Sequence, residues 1–176
     1  MSIILSRFWA MPSHLTFEIK PIKELLSNRI NLETDLWLDP FAKDSKVASL
    51  TNDINPKTSA DFHLDALQWL RNFRADSIDG VLFDPPYSLR QLKECYDGIG
   101  SAMTSHESKH FFSDLKNEIA RIVRPGGCVI SFGWSSGGIG KNRGFEIEEV
   151  MLIAHGGIHN DTIVTIDIKG GVCCGL

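Results

Sequence analysis

The chain has 176 residues, 43% of them hydrophobic and 23% charged. That is an ordinary globular composition for one domain, able to bury about two-thirds of its unfolded surface. The formal net charge of −4 excludes a global basic field that would draw in nucleic acid, so a polynucleotide would need a local patch or a partner.

No run of about eighteen apolar residues exists, which predicts no membrane-spanning helix. Arg7 sits inside the apolar start rather than before it, so Met1 to Ala10 reads poorly as a signal peptide. The four cysteines (Cys95, Cys128, Cys173 and Cys174) show no C-x-x-C spacing and suit a reducing, cytoplasmic setting. From Thr16 to Ile30 we expect an extended piece and then a helix opened by Pro21 and running through Leu25 and Leu26. Asp35-Leu36-Trp37-Leu38-Asp39 predicts the first strand. Ser49 to Ile54 predicts a second, stopped by Asn55-Pro56, and Asp61 to Leu64 a short third. Asp65 stands where it would cap a helix containing Ala66, Leu67, Trp69, Leu70 and Phe73.

Ile78 to Phe83 is an apolar run, the signature of a strand buried on both faces of a parallel sheet. The polar, glycine-containing stretch Ser88 to Lys109 predicts a mobile loop with helical fragments. Between His110 and Val123, residues Phe111, Leu115, Ile119 and Ile122 keep helical spacing. Pro125-Gly126-Gly127 carries turn chemistry. Cys128 to Trp134 predicts the fifth strand, with Cys128 as a small apolar filler. Phe145 to Ala154 and Thr162 to Ile168 predict a final hairpin across Gly156-Gly157. Strands alternating with crossovers and then a hairpin imply an α/β fold with a mostly parallel sheet and a C-terminal antiparallel hairpin.

Asp84-Pro85-Pro86-Tyr87 follows the fourth strand, at the end where open α/β sheets bind ligands. An aromatic amine is a weak nucleophile because its lone pair is delocalised into the ring. A carboxylate (Asp84) and a backbone carbonyl (Pro85) can each accept one of its N–H bonds and draw the nitrogen toward tetrahedral geometry. Pro85 and Pro86 fix φ and remove two competing donors. Tyr87 offers a face on which a base can stack. The simpler alternative is an Asp-Pro-Pro turn with a core tyrosine.

D-P-P-Y after a hydrophobic strand resembles the catalytic motif of S-adenosylmethionine-dependent amino-methyltransferases, chiefly the small phage-type DNA adenine-N6 group. The resemblance runs from about Thr16 to Lys169 and implies a Rossmann-like methyltransferase fold, in one catalytic domain over residues 1–176 without a separate target-recognition domain. It implies S-adenosylmethionine as cofactor, held by Thr16 and Phe17, by Asp39-Pro40-Phe41-Ala42, by Asn52-Asp53 (the acid on the ribose hydroxyls) and by Asp65 near the cofactor's adenine. The implied activity is methyl transfer to the N6 amine of adenine in DNA, with Asp84, Pro85, Pro86 and Tyr87 as the catalytic residues. Cytosine N4, adenine in RNA, or a non-catalytic binding subunit are the alternatives.

The family usually follows D-P-F with a glycine-rich turn and a helix. Lys43-Asp44-Ser45 stands there instead, so the first crossover should be a loop. Nucleic acid, DNA in preference to RNA, is the expected partner, with a homodimer or a further subunit supplying recognition; no membrane partner is expected, and the setting is the cytoplasm of a bacterium or a virus-infected host cell. Candidate substrate contacts are the Ser88–Lys109 stretch and Lys141-Asn142-Arg143, while Lys116, Arg121 and Arg124 read as a solvated helix face. Trp134 is either a pocket wall or a core tryptophan. His155 and His159 have H-x-x-x-H spacing, but a glycine turn between them argues against a metal site. The end, Cys173-Cys174-Gly175-Leu176, reads as a frayed tail rather than a prenylation box.

Overall fold

The computed structural model describes residues 2–97 and 105–170. Seven strands form a single sheet: β1 (Ile4–Trp9), β2 (Trp37–Asp39), β3 (Leu50–Thr51), β4 (Ile78–Phe83), β5 (Val123–Gly133), β6 (Phe145–Ala154) and β7 (Thr162–Lys169). Their order is β1-β6-β7-β5-β4-β2-β3. β7 runs antiparallel to β5 and β6, and the other pairings are parallel.

The apolar run of β4 is explained by cover on both faces. Leu82 packs with Ile130, Phe132, Val164 and Ile166 beneath α1 (Lys20–Arg29), which contributes Ile22, Leu25 and Leu26. Val81 and Phe83 point the other way, into a core shared with α2 (Ala66–Leu70), α3 (Leu89–Asp97) and α4 (Ser105–Ile122). In that core the stripe Phe111, Leu115, Ile119 and Ile122 is buried as its spacing requires. Gly80 is needed where β4 passes β2, since a Cβ there would fall 2.5 Å from the Trp37 indole. Among the described residues no helix is long and apolar enough to cross a membrane.

The sequence reading needs five corrections. β1 was not expected as a strand, yet it pairs with β6 along its whole length. The second strand shrinks to Leu50–Thr51, and Asp61 to Leu64 supply one isolated bridge, Asn52 with Phe62. Pro125-Gly126-Gly127 lies within β5 as a bulge, where the register with β4 jumps from Ile78–Val123 to Gly80–Cys128 and Gly126 takes φ +77°. The stretch from Ser88 is regular where it is described, forming α3 and the first turns of α4; its residues 98–104, and the Cys173-Cys174-Gly175-Leu176 tail, lie outside the described residues. Lys116, Arg121 and Arg124 do not form one solvated helix face: Lys116 is half-buried and donates to the Gly138 carbonyl, Arg121 donates to Glu118 and the Leu70 carbonyl, and Arg124, exposed as expected but within β5, donates to Asp79 at 2.6 Å.

Two expectations about the turns also hold. The β2–β3 connection contains no helix; it is a tight turn in which Lys43 takes φ +51°. The β6–β7 hairpin turns through Gly156 and Gly157, both at positive φ.

Candidate active site at the switch point of the sheet

From β2 the chain steps outward to β3, and from β4 it steps the opposite way to β5, although β2 and β4 are neighbours. Diverging connections leave a crevice beyond the carboxyl ends of the two strands, the place where open α/β sheets bind ligands. Here the crevice opens into a cavity of about 650 Å³. Pro40 and Phe41 reach it from the end of β2, and Asp84, Pro85, Pro86 and Tyr87 from the end of β4. Asp53 and Ile54 close one side, and Gln91, Leu92, Cys95 and Tyr96 of α3 another. Pro12, Ser13, His14 and Thr16, in the segment that leaves β1, cross its mouth. Trp134, His155, His159, Asn160 and Thr162 form the far rim.

Asp84 is the hub of the cavity. The Tyr87 hydroxyl donates to Asp84 Oδ1 at 2.6 Å, and the Thr16 hydroxyl is hydrogen-bonded to the same carboxylate. Burial pushes the Asp84 carboxyl above its ordinary value, while Tyr87, Thr16 and the nearby Lys43 charge pull it back. Burial and the Asp84 charge both push the Tyr87 phenol up, so it stays a donor across the physiological range. Gln91 Oε1 accepts the Tyr87 backbone N–H at 2.8 Å, and the Tyr87 ring meets Trp134 edge-on with centroids 5.6 Å apart. Both rings line the cavity.

Asp53 closes the tight turn: its Oδ2 accepts the Lys43 N–H at 2.9 Å and its Oδ1 the Asn55 N–H at 2.9 Å. Asp39 is fully buried just behind. Its Oδ1 accepts the Phe41 N–H, whereas Oδ2 has no partner among the described residues. Burial first, and then the negative charges of Asp84 and Asp53, hold the Asp39 carboxyl well above the usual range. Lys43 spans the turn and the crossing segment, donating from Nζ to the His14 carbonyl.

Several expected site residues do not face the cavity. Asn52 is buried and works as a clamp, donating to the Pro40 and Leu64 carbonyls and accepting the Leu64 N–H. Phe17 packs on Phe132 with centroids 5.0 Å apart. With Ala42 it lines a smaller hollow of about 120 Å³ that shares Phe41, Lys43 and Asp84 with the main cavity. Asp65 caps α2 by accepting the Gln68 N–H and also receives the Tyr96 hydroxyl, so its carboxylate is engaged from both sides. Lys141-Asn142-Arg143 is displaced to the opposite end of the sheet, because it precedes Phe145, which pairs with Lys169 at the far end of β7. Arg143 there is tied to Asn117, Ser113 and the Ile139 carbonyl.

The α3 wall falls within the Ser88–Lys109 stretch expected to contact substrate, whereas the sequence reading held no expectation for the crossing segment around His14 or for the role of His155. That ring is buried and bonds the Ala10 carbonyl through Nδ1 and the Thr162 hydroxyl through Nε2, each at 2.9 Å. The Leu92–Tyr96 spacing was the available signal for α3. Nothing local marks the other two.

No family model matches the chain, and no curated protein does. Solved structures do. TrmN from Thermus thermophilus aligns over 86% of this chain and 49% of its own, with a TM-score of 0.56 at 17% identity; the chain thus spans about half the length of that protein. The yhhF protein of Escherichia coli aligns over 92% of each chain, with a TM-score of 0.56 at 9% identity. The N-methyltransferase NodS from Bradyrhizobium japonicum WM9 aligns over 85% of this chain and 96% of its own, with a TM-score of 0.51 at 10% identity. The likeness is one of fold: the chain has the Rossmann-like architecture of these methyltransferases.

Proposed function

We propose that the chain is an S-adenosylmethionine-dependent methyltransferase acting on the N6 amine of adenine in a nucleic acid, DNA in preference to RNA, with residues 1–176 working as one catalytic domain. The observation that carries this is that Asp84, Pro85, Pro86 and Tyr87 line the switch-point cavity together with Asp53. The TrmN and NodS folds support the reaction class, and the D-P-P-Y tetrapeptide supports an amine as acceptor.

The residues present fit the cofactor. Asp53 can accept ribose hydroxyls at the cavity edge, Pro40 and Phe41 offer an apolar floor, and Asp39 keeps a buried oxygen without a partner among the described residues. When bound, S-adenosylmethionine supplies an electrophilic methyl on a sulfonium, and S-adenosylhomocysteine leaves. Asp84 and the Pro85 carbonyl would accept the two N–H bonds of the amine, so that its lone pair points away from the base plane toward the cofactor side. Tyr87 would give up its bond to Asp84 as the amine arrives and turn its ring to the base. The methylated amine would lose one proton to Asp84 or to water. Positioning and fixed dipoles do the work. Because duplex DNA hides the amine, the base must be flipped out, at a cost of a few kcal/mol.

The test is titration with S-adenosylmethionine, followed by methylation of DNA and RNA with nucleoside mass spectrometry. N6-methyladenine is expected. Asp84→Ala should abolish transfer and leave cofactor affinity nearly intact; full activity in that variant would refute the mechanism. Methyl on cytosine N4 or on RNA adenine would move the same chemistry to a different amine. No cofactor binding would replace the enzyme with a binding subunit.

A further inference from the structure

We propose that the outer edge of β1 is a self-docking surface, and that two copies of the chain join there by antiparallel pairing of β1 about Ser6, continuing the sheet from one copy into the other. Among the described residues β1 ends the sheet, so one of its two hydrogen-bonding edges has no neighbour there. Ala10, which follows it, donates its N–H to the Ala154 carbonyl of β6. Backbone groups alternate sides along a strand, so Ser6 and Phe8 also face β6, while Leu5, Arg7 and Trp9 present their N–H and C=O groups outward.

Edges of this kind are normally protected by short length, proline, bulges or lysines. β1 has six residues, no proline and no bulge, and pairs with β6 without a register shift. Arg7 is the one charged residue from Ile3 to Trp9. The side chains are apolar on both faces and open to solvent: Leu5 is 77% exposed, Trp9 68% and Ile4 53%. Beside Leu5 and Arg7 lie Val150 and Leu152 of β6, half-buried and belonging to neither core. A surface that opens this much apolar area in one place marks a contact site.

The sequence of the strand selects its own copy as the occupant. Antiparallel pairing centred on Ser6 sets Ser6 against Ser6, Leu5 against Arg7, Ile4 against Phe8 and Ile3 against Trp9. Every pair keeps both members on one face, and each outward backbone group of Leu5 and Arg7 finds a partner. The Ser6 hydroxyl, buried and without a partner among the described residues, comes opposite another hydroxyl. Sliding the register so that Arg7 meets Arg7 would set like charges together, which is unfavourable. Because one strand and its flanks form a small contact, the dimer should be a weak, concentration-dependent one.

Ser6–Ser6 is a non-hydrogen-bonded pair in this register, with Cα atoms about 4.5 Å apart, inside the range a disulfide spans. The experiment combines sedimentation of the full chain over a wide concentration range with oxidation of S6C and, as the register control, F8C. Expected are reversible dimers of the parent chain, a peptide cross-linked to its own copy at position 6 in S6C, and no such self-link at position 8 in F8C. R7P, which removes an outward N–H and leaves the β6 pairing untouched, should be monomeric with an unchanged circular dichroism spectrum. A parent chain that stays monomeric at the highest concentration reached would overturn the proposal. So would dimers with no self-link at position 6, whether or not R7P folds.

Discussion

Replacing Tyr87 with Phe tests whether the bond between Tyr87 and Asp84 competes with the proposed acceptor amine. The hydroxyl donates to Asp84 Oδ1 at 2.6 Å, the oxygen that the proposed substrate amine must reach. The pair must therefore open before the amine can bind. A hydrogen bond to an ionised acceptor contributes about 1.5–3 kcal/mol; the lower figure applies here, because Asp84 is partly open to the cavity and the freed phenol regains water. Phe keeps the ring against Trp134, whose centroid lies 5.6 Å away, and removes only the competition. The KM for the acceptor should then fall roughly tenfold. A second effect has the opposite sign at low pH. Tyr87 is one of the groups that hold the Asp84 carboxyl down against burial. Without it the carboxyl binds a proton at higher pH, and the neutral acid is a poorer acceptor for an amine. The acid limb of kcat/KM should move to higher pH in Tyr87→Phe, while KM improves on the alkaline side. Initial rates with an adenine oligonucleotide from acid to mildly alkaline pH read both. An unmoved acid limb together with an unchanged KM would refute the reasoning.

Asp53→Ala removes the proposed ribose acceptor and the bonds to the Lys43 and Asn55 N–H groups; cofactor affinity should fall by about 1.5–3 kcal/mol, roughly tenfold to a hundredfold in a calorimetric Kd. Gly80→Ala puts a methyl 2.5 Å from the Trp37 ring, and such overpacking should cost about 1–3 kcal/mol and several degrees of melting temperature. Burial raises the Asp167 carboxyl to about 6 from an ordinary 3.8. The folded chain therefore holds that proton more tightly than the unfolded one, so stability is lost as pH rises between those values. Asp167→Asn keeps an oxygen for the Ile139 N–H and should be about 2–3 kcal/mol more stable than the parent in urea unfolding near neutral pH, with little difference near pH 4; an equal gain at both would show that titration is not the cause.

The parts of the fold that were legible in sequence are those where one local pattern has one structural solution. Ile78 to Phe83 reads as a doubly covered strand because it is doubly covered, and the prolines after it fix where the strand ends and the cavity begins. The α4 stripe is legible because Phe111, Leu115, Ile119 and Ile122 all meet the same core. β1 was invisible for the converse reason. It is apolar on both faces yet open on both, so it shows neither the alternation of a half-buried strand nor the two-sided cover that would justify a continuous run. Asn52, Asp65 and His155 share another difficulty. Each is polar and buried or engaged by partners that come from elsewhere in the chain, so the residue type announces a role without saying which. Asn52 next to an acid at a strand end looks like a ligand contact and is a clamp. His155 before a glycine turn looks like loop polarity and is a bolt between the crossing segment and β7.

The shortened first crossover explains how these distant residues come to matter. In a fold where β2 led into a helix, that helix would wall this end of the crevice. Here the chain turns back within ten residues, and the Lys43 backbone takes a left-handed conformation to do so, which costs a non-glycine residue on the order of 1 kcal/mol. Three sets of bonds offset that cost: the Lys43 N–H on Asp53, Lys43 Nζ on the His14 carbonyl, and Asn52 on Pro40 and Leu64. The second of these reaches the segment that leaves β1 and crosses the mouth of the cavity, a segment fixed at its other end by His155. The missing helix is thus replaced by a strap that depends on β1 being a strand at all. The extra edge strand, the strap and the compressed turn form one structural solution, and the wall they supply stands beside Asp84 through Thr16.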